Sequence, residues 1–283
     1  MTTDQSAPAN RPLIRGVVVA GLALVAAGGM LALNFGAHKN TESWERTFPA
    51  VDNVRVVGNA RVRVETWKQD HMSVALDADW YGHRSPPKAT VDGDTLVARA
   101  CDGSFWHNFY WHAYCHADFV IRVPEGTSLT THSDNRTTTA TGTFAALDMR
   151  SDSGRIEATD ITAPRVSLRT DSGSVALSGS TPSADVRTDS GSIRIDAETT
   201  SVNARTDSGS VTADLRGDVT RVAAKTDSGS VSVTVPLTGY RVTTSTDSGR
   251  RNIDDRLTNG TSARSIDLST DSGSITLQAS ETP

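Results

Sequence analysis

Residues 166–177 read Val-Ser-Leu-Arg-Thr-Asp-Ser-Gly-Ser-Val-Ala-Leu, and the Asp171-Ser172-Gly173 inside them decides the fold. The same tripeptide begins at Asp152, Asp171, Asp189, Asp207, Asp227, Asp247 and Asp271, at intervals of 19, 18, 18, 20, 20 and 24 residues. One turn motif returning at this period between alternating apolar strands is the signature of a stacked solenoid. A motif that occurs once per coil is first of all structural. A catalytic site needs unlike residues converging once, whereas this chain supplies like residues seven times.

Alternation fixes the register of each coil. Val166, Leu168 and Thr170 point one way and Arg169 and Asp171 the other. After the turn Val175 and Leu177 form the apolar pair. The same slots hold Ile156 with Ala158, Ile193 with Ile195, Val211 with Ala213, Val231 with Val233, and Ile275 with Leu277. The fold class expected is all-β: a parallel β-solenoid with about 18–20 residues per coil. The structural corners are Asp152 with Gly154, Asp171 with Gly173, Asp189 with Gly191, Asp207 with Gly209, Asp227 with Gly229, Asp247 with Gly249, and Asp271 with Gly273. There Gly is expected to supply positive φ, while Asp and Ser bond the turn's own amides.

Stacked carboxylates about 4.8 Å apart repel by roughly 1 kcal/mol per neighbour even at water's dielectric. Two residues before each Asp stands Arg150, Arg169, Arg187, Arg205 or Lys225, a basic ladder expected to neutralise the acidic one; Ser245 and Ser269 end it. Just before each Asp, Ser151 and then Thr170, Thr188, Thr206, Thr226, Thr246 and Thr270 face inward, placed to bond neighbouring coils. Coil length varies only in the opposite connections, around residues 215–218, 236–239 and 257–260. Variable loops on one solenoid edge are where partner-specific contacts gather. Arg251 occupies an apolar slot, which predicts a bulged corner or an opened coil there.

Upstream, His132-Ser133-Asp134-Asn135 lies 18 residues before Asp152 and reads as a degenerate first copy. Residues 54–64, 72–76, 90–97 and 119–123 read as strands, with a stalk over 41–49. The chain has 283 residues, 36% hydrophobic and 5% aromatic, which suits a thin solenoid core better than a thick globular one. A net charge of −5 gives no electrostatic case for nucleic acid.

Residues 16–37 form an uncharged apolar run of 22 residues, about 33 Å as a helix and long enough to span a bilayer. Arg11 and Arg15 precede it and Lys39 follows, so the charge bias is weak; the short leading tail favours a cytoplasmic N-terminus. No Ala-x-Ala site closes the run, which argues against a cleaved signal peptide. The expected organisation is a cytoplasmic tail (1–15), a transmembrane helix (16–37), a stalk (38–50), irregular coils (51–125) and regular coils (126–280). The expected location is the cell membrane, single-pass, with the C-terminal domain extracytoplasmic.

The two cysteines, Cys101 and Cys115, enclose Phe105, Trp106, Phe109, Tyr110, Trp111 and Tyr114. Outside the membrane the cysteines are expected to form a disulfide, worth on the order of 3 kcal/mol by loop entropy. The closed loop reads either as a staple over the first coil or as an aromatic platform for a glycan or lipid surface. His107, His112 and His116 lie in or beside this loop without a zinc-ligand spacing, and no Gly-Gly-x-Gly-x-Asp calcium repeat occurs. No metal and no cofactor is expected.

The Val-Arg-Val-x-Gly-x-Ala-Arg-Val-Arg-Val segment at 54–64, the Ile-Arg-Val-Pro-Glu-Gly at 121–126 and the Thr-Asp-Ser-Gly-Ser-Val coils together resemble one bacterial family. It is the family of unknown function labelled "putative adhesin", whose members look like envelope β-solenoids. The resemblance runs over roughly residues 50–280 and departs at the aromatic insert and at Arg250-Arg251. It implies a fold and carries over no catalytic residue.

The reading that follows is a membrane-anchored extracytoplasmic β-solenoid, a non-catalytic adhesin-like binding or scaffolding module whose partner is an envelope glycan or protein. A polysaccharide-acting β-helix enzyme is the second class, disfavoured because every repeated carboxylate has equivalent neighbours. A cytoplasmic filament-forming solenoid is the third, since the last coil, ending at Gln278-Ala279, leaves an edge open to self-association.

Overall fold

The strands flanking an Asp-Ser-Gly corner do not pair with each other. Each stacks in parallel on its counterpart in the next coil, giving two facing sheets joined at the corners. The computed structural model describes residues 39–81, 85–100 and 115–280. The segment 16–37 and the insert from Cys101 to Tyr114 lie outside the described residues. Among the described residues no helix is long and apolar enough to cross a membrane.

The N-terminal part comprises Lys39–Pro49 (β1), Asn53–Val57 (β2), Arg61–Trp67 (β3), His71–Tyr81 (β4), Lys88–Asp92 (β5), Thr95–Arg99 (β6) and Cys115–Pro124 (β7). Then Thr127–Ser133 (β8), Thr138–Ser151 (β9) and Ile156–Thr162 (β10) lead into the regular coils. These are Arg165–Thr170 (β11) with Val175–Ser180 (β12), Ser183–Thr188 (β13) with Ile193–Glu198 (β14), and Ser201–Ser208 (β15) with Val211–Arg216 (β16). Next come Arg221–Ser228 (β17) with Val231–Val235 (β18), Arg241–Ser248 (β19) with Arg251–Ile253 (β20), and Ser265–Ser272 (β21) with Ile275–Ala279 (β22).

Within a coil the inward residues meet across a thin core. Val166 and Leu168 of β11 face Val175 and Leu177 of β12, all fully buried, and the corresponding residues of the neighbouring coils continue the four rows. Burying each such side chain contributes about 1.5–3 kcal/mol. The pairing is one-for-one: Leu168 stands opposite Val186, and Leu177 opposite Ile195. The apolar slots read from the alternation are therefore the core of the solenoid.

The stacking order departs from chain order at the C-terminal end. β17 pairs with β21, and β21 with β19; likewise β18 pairs with β22, and β22 with β20. The last coil in sequence is thus inserted between its two predecessors. Side-chain chemistry gives the reason. β21 and β22 offer Ile266, Leu268, Ile275 and Leu277 to the core, all fully buried. β19 and β20 offer Val242, Thr244, Arg251 and Ile253, of which Arg251 is exposed and the others are only partly covered. A terminal coil has one neighbour instead of two, so the polar coil belongs outside and the apolar one inside.

This corrects two expectations. Arg251 marks neither a bulge nor an opened coil, because Ser248 pairs with Ser272 and Arg251 with Ile275 in unbroken register. Nor does Gln278-Ala279 end the stack, since β22 lies between β18 and β20.

The N-terminal end also differs from plain coils. The segment expected as a stalk is β1, paired antiparallel with β4 from Lys39 opposite Tyr81 to Pro49 opposite His71. β4 continues antiparallel onto β7, while β5 and β6 form an antiparallel hairpin. Residues 54–64, expected as one strand, break at Gly58-Asn59-Ala60 into β2 and β3, which lie in opposite sheets. Residues 90–97 likewise turn at Gly93 within the β5–β6 hairpin. The outer edge, β1, carries Lys39, Glu42, Glu45 and Arg46, charges that discourage further strand pairing.

Candidate functional site

Three features of this architecture are candidates for recognition: the repeated corner, the variable loops on the opposite edge, and the base of the aromatic insert. The corner is built by Thr and Gly. Thr170 Oγ1 donates to the carbonyl of Gly154 (3.1 Å) and accepts from the amide of Gly173 (3.1 Å). The ladder repeats as Thr188 to Gly173 (2.8 Å), Thr206 to Gly191 (2.9 Å) and Thr226 to Gly209 (2.8 Å). It then follows the altered order: Thr270 donates to Gly229 (2.9 Å), and Thr246, in the end coil, donates to Gly273 (3.1 Å).

The corner glycines are needed for a reason other than the expected one. Only Gly229 and Gly273 have positive φ, and both lie near the extended region; Gly154, Gly173, Gly191, Gly209 and Gly249 do not adopt it at all. The expected left-handed turn is therefore absent at these five corners. A Cβ on Gly191 would instead fall inside 3 Å of the Gly173 carbonyl, and one on Gly249, in the end coil, would meet the carbonyl of Gly273 in the same way. The remaining corners show the same approach to the neighbouring coil. Close backbone approach, not a left-handed turn, excludes every other residue. The hydroxyls that bond the turn amides also differ from expectation. At the first two Asp-Ser-Gly corners they belong to Ser151 and Thr170, which precede the Asp.

The Asp side chains therefore stay outward in a column running Asp152, Asp171, Asp189, Asp207, Asp227, Asp271 and Asp247. The basic column lies beside it: Arg150 opposite Arg169, then Arg187, Arg205 and Lys225, followed by Ser269 and Ser245. Charge compensation is split. Arg205 meets Asp207 (3.6 Å) and Lys225 meets Asp227 (3.9 Å), but Arg150 turns to Asp148 (3.4 Å) and Arg187 to Asp185 (3.1 Å). The expectation that each base neutralises the adjacent corner carboxylate holds at two rungs; at Arg150 and Arg187 an earlier Asp on the same strand competes. These pairs are about half exposed, so each contributes under about 1 kcal/mol.

The degenerate copy at 132–135 joins the same columns. His132 stands opposite Arg150, and Ser133 opposite Ser151. The amide of Ser153 donates to the carbonyl of Asp134 (2.7 Å), continuing the corner stack one rung further. His132 thus occupies the first rung of the basic column, two residues before Asp134 as Arg150 stands before Asp152.

On the opposite edge the three variable loops form one patch because the last coil is inserted out of order. Arg264 donates to Asp218 Oδ1 (2.6 Å) and to the carbonyl of Val219 (2.6 Å), tying the 257–264 loop to the 215–218 loop. Tyr240 ties in the 236–239 loop. Its ring is fully buried, its hydroxyl donates to the carbonyl of Pro236 (3.1 Å) and its amide to that of Leu257 (2.6 Å). Burial raises the Tyr240 phenol above its ordinary value, against the opposing effects of Thr238 and Arg264. At the end coil, Asp254 is held down to about 2, chiefly by its hydrogen bond from Arg256. Leu237 projects from the patch, 52% exposed. Tyr240 and Arg264 escaped the sequence reading, although Tyr240 is the single aromatic after Phe144.

The aromatic insert leaves the body after Ala100 and returns at Cys115. Ala100 is buried and its amide donates to the carbonyl of Val57 (3.0 Å). Cys115 begins β7 opposite Trp80 and is not a free thiol. Cys101 and the platform residues Phe105, Trp106, Phe109, Tyr110, Trp111 and Tyr114 lie outside the described residues. The β1–β4–β7 register places Lys39 opposite Tyr81, next to the Trp80–Cys115 pair. The chain segment arriving from residue 38 and the insert therefore join the body at one edge, two strands apart, about 10 Å.

Two parallel sheets stacked on Asp-Ser-Gly corners, with an antiparallel N-terminal closure, define a β-solenoid module. A family model described as Toastrack DUF4097 matches residues 54–278, and the chain belongs to that family. A search of curated proteins finds no match. Among solved structures, a "putative adhesin" from Bacteroides fragilis is 14% identical, with 85% of this chain and 97% of that one covered at a TM-score of 0.48. A "putative adhesin" from Parabacteroides distasonis is 12% identical over 85% and 97% of the two chains, TM-score 0.41. A "putative lipid binding protein" from the same species is 15% identical over 86% and 97%, TM-score 0.38. The fold assignment rests on the strand register and the family match, not on these distant likenesses.

Proposed function

We propose that this protein is a membrane-anchored, extracytoplasmic β-solenoid that binds or scaffolds at the cell envelope without catalysing a reaction. The observation that carries the reading is the shared edge of Lys39 and Cys115. The apolar run 16–37 ends two residues before Lys39. If that run spans the bilayer, the Cys101–Cys115 loop emerges beside the membrane surface, where Trp and Tyr side chains favour the headgroup region. The Cys101–Cys115 disulfide belongs to this proposal and requires an oxidising compartment. The far end then presents the Asp218, Leu237 and Arg264 loop patch to an envelope glycan or protein.

A non-catalytic role is supported by how the repeated residues are used. The Thr hydroxyls and Gly backbones hold the coils together, and the inner Asp residues of the column have like neighbours on both sides. The test is digestion of intact cells with a protease that cannot cross the membrane. Cleavage within residues 152–280, leaving a membrane-retained N-terminal fragment, is the expected result. Full protection of that region in intact cells, with cleavage only after lysis, would overturn the reading.

A further inference from the structure

The first rung of the corner columns differs chemically from those that follow. On the next five rungs a guanidinium or ammonium stands in the basic column; here it is the imidazole of His132. Its ring, the carboxylate of Asp134 and that of Asp152 each offer an oxygen or nitrogen, and the three atoms lie within 4.8 Å of one another. His132 Nε2 is 4.0 Å from Asp152 Oδ1. Arg150, the base that the periodicity assigned to Asp152, is drawn instead to Asp148. The two carboxylates therefore face an imidazole and not the neighbouring guanidinium.

We propose that His132, Asp134 and Asp152 form a surface site for a divalent transition-metal ion of the zinc class. One neutral imidazole and two carboxylates are a donor set for such an ion, leaving a fourth position to water or a partner's group. Calcium is disfavoured because it takes oxygen ligands and has no use for the imidazole. With metal–ligand bonds of about 2.1 Å, tetrahedral donors lie about 3.4 Å apart. The three side chains are exposed, so contraction from the present spacing is asked of them and not of the buried core. The backbone is already fixed, because Ser133 and Ser151 pair in register and the Ser153 amide bonds Asp134. Placement at the end of the acidic column adds the field of Asp171 and the carboxylates beyond it.

The later rungs show why only this one qualifies. They carry Arg or Lys, which cannot ligate, or Ser245 and Ser269, which are poor donors. Substituting His132 by Arg would turn the first rung into an ordinary one and would preserve the fold.

The experiment is calorimetric titration of the detergent-solubilised full chain with Zn²⁺ in a non-coordinating buffer. Expected is a saturable event near one equivalent that weakens at least tenfold in both His132→Arg and Asp152→Asn. The mid-column control Asp189→Asn and the insert control His112→Ala should retain it. The site is refuted by absence of saturable uptake in the wild type. It is equally refuted by uptake that survives His132→Arg, which would place the ion elsewhere, or by equal loss in Asp189→Asn, which would make the binding diffuse attraction to the column.

Discussion

Arg264 reaches across 46 residues of sequence to Asp218, with Nη2 2.6 Å from Oδ1, while its Nη1 donates to the carbonyl of Val219. The contact fastens the entrance of the last coil to a loop two coils earlier in the chain. It is the local counterpart of the inserted order β17–β21–β19. The ion pair alone is worth little, since Asp218 is largely exposed. The bond to Val219 is better shielded. Arg264→Ala should cost about 1 kcal/mol and raise hydrogen exchange across residues 241–279, whereas Asp218→Asn should change stability by less than about 0.5 kcal/mol.

The inserted order has a direct chemical test. Ser228 pairs with Ser272, and Ser272 with Ser248, so Ser228 and Ser248 are separated by an intervening strand. Adjacent strands put partner Cα atoms about 5 Å apart, within disulfide reach; the next strand is about 10 Å away and outside it. Oxidation should cross-link Ser228→Cys with Ser272→Cys and leave Ser228→Cys with Ser248→Cys reduced. The opposite pattern, read by peptide mapping, would restore chain order.

Much of this fold was legible because a solenoid repeats its instructions. Alternation placed Val166, Leu168, Val175 and Leu177 in the core, and the inward Thr column in position to bond the coil beneath. What alternation cannot encode is which coil neighbours which. Val222 pairs with Ile266, but Val242 would fit the same slot by local pattern. The only written hint was polarity in core positions, Thr244 and Arg251, and it reads as a defect until the end coil is recognised. β1 was hidden for a different reason: in Lys39–Pro49 only Trp44 and Phe48 mark the covered face among charged neighbours. The candidate surface on the loops was visible as variable length, but its union into one patch depends on Tyr240 and Arg264, and so on the stacking order.

Each corner combines two effects, close backbone approach at the Gly and a hydrogen bond from the Thr. Gly191→Ala should destabilise strongly, by about 2–4 kcal/mol, because the new methyl meets the Gly173 backbone, which cannot move without shifting a coil. Thr206→Val should cost about 1–2 kcal/mol by leaving the Gly191 carbonyl without its donor. Gly260→Ala, where a Cβ meets nothing within 4 Å, should be close to neutral. Urea unfolding of the three variants checks the ranking, and a neutral Gly191→Ala would remove close approach as the reason for the motif.

Two buried hydroxyls near the first rung stand outside any hydrogen bond. Thr131 is 1% exposed beside Met149 and Val56, and Thr138 is fully buried between Val62 and Ile156; neither Oγ1 has a partner. Each burial without a bond costs about 1–3 kcal/mol, and Val has nearly the same shape as Thr. Thr131→Val and Thr138→Val should each raise the urea midpoint at unchanged slope, with a gain of about 1 kcal/mol. Thr206→Val, the same exchange at a bonded hydroxyl, should move the midpoint the other way.

Tyr240 gives the loop patch a pH dependence. Its phenol titrates above the ordinary value of 10.0 in the folded chain because burial disfavours the phenolate. On unfolding the ring enters water and its proton leaves near pH 10. Between the unfolded and folded values the folded state holds more protons, so stability falls as pH rises. The contribution is therefore intact below about pH 10 and lost progressively above it. Tyr240→Phe removes the titrating group along with the bond to the Pro236 carbonyl, costing about 1 kcal/mol at neutral pH. Its unfolding midpoint should decline less steeply than that of the wild type between about pH 9 and pH 11. Parallel alkaline profiles for the two proteins would mean that the ring is already open to water and that the patch is not closed by Tyr240.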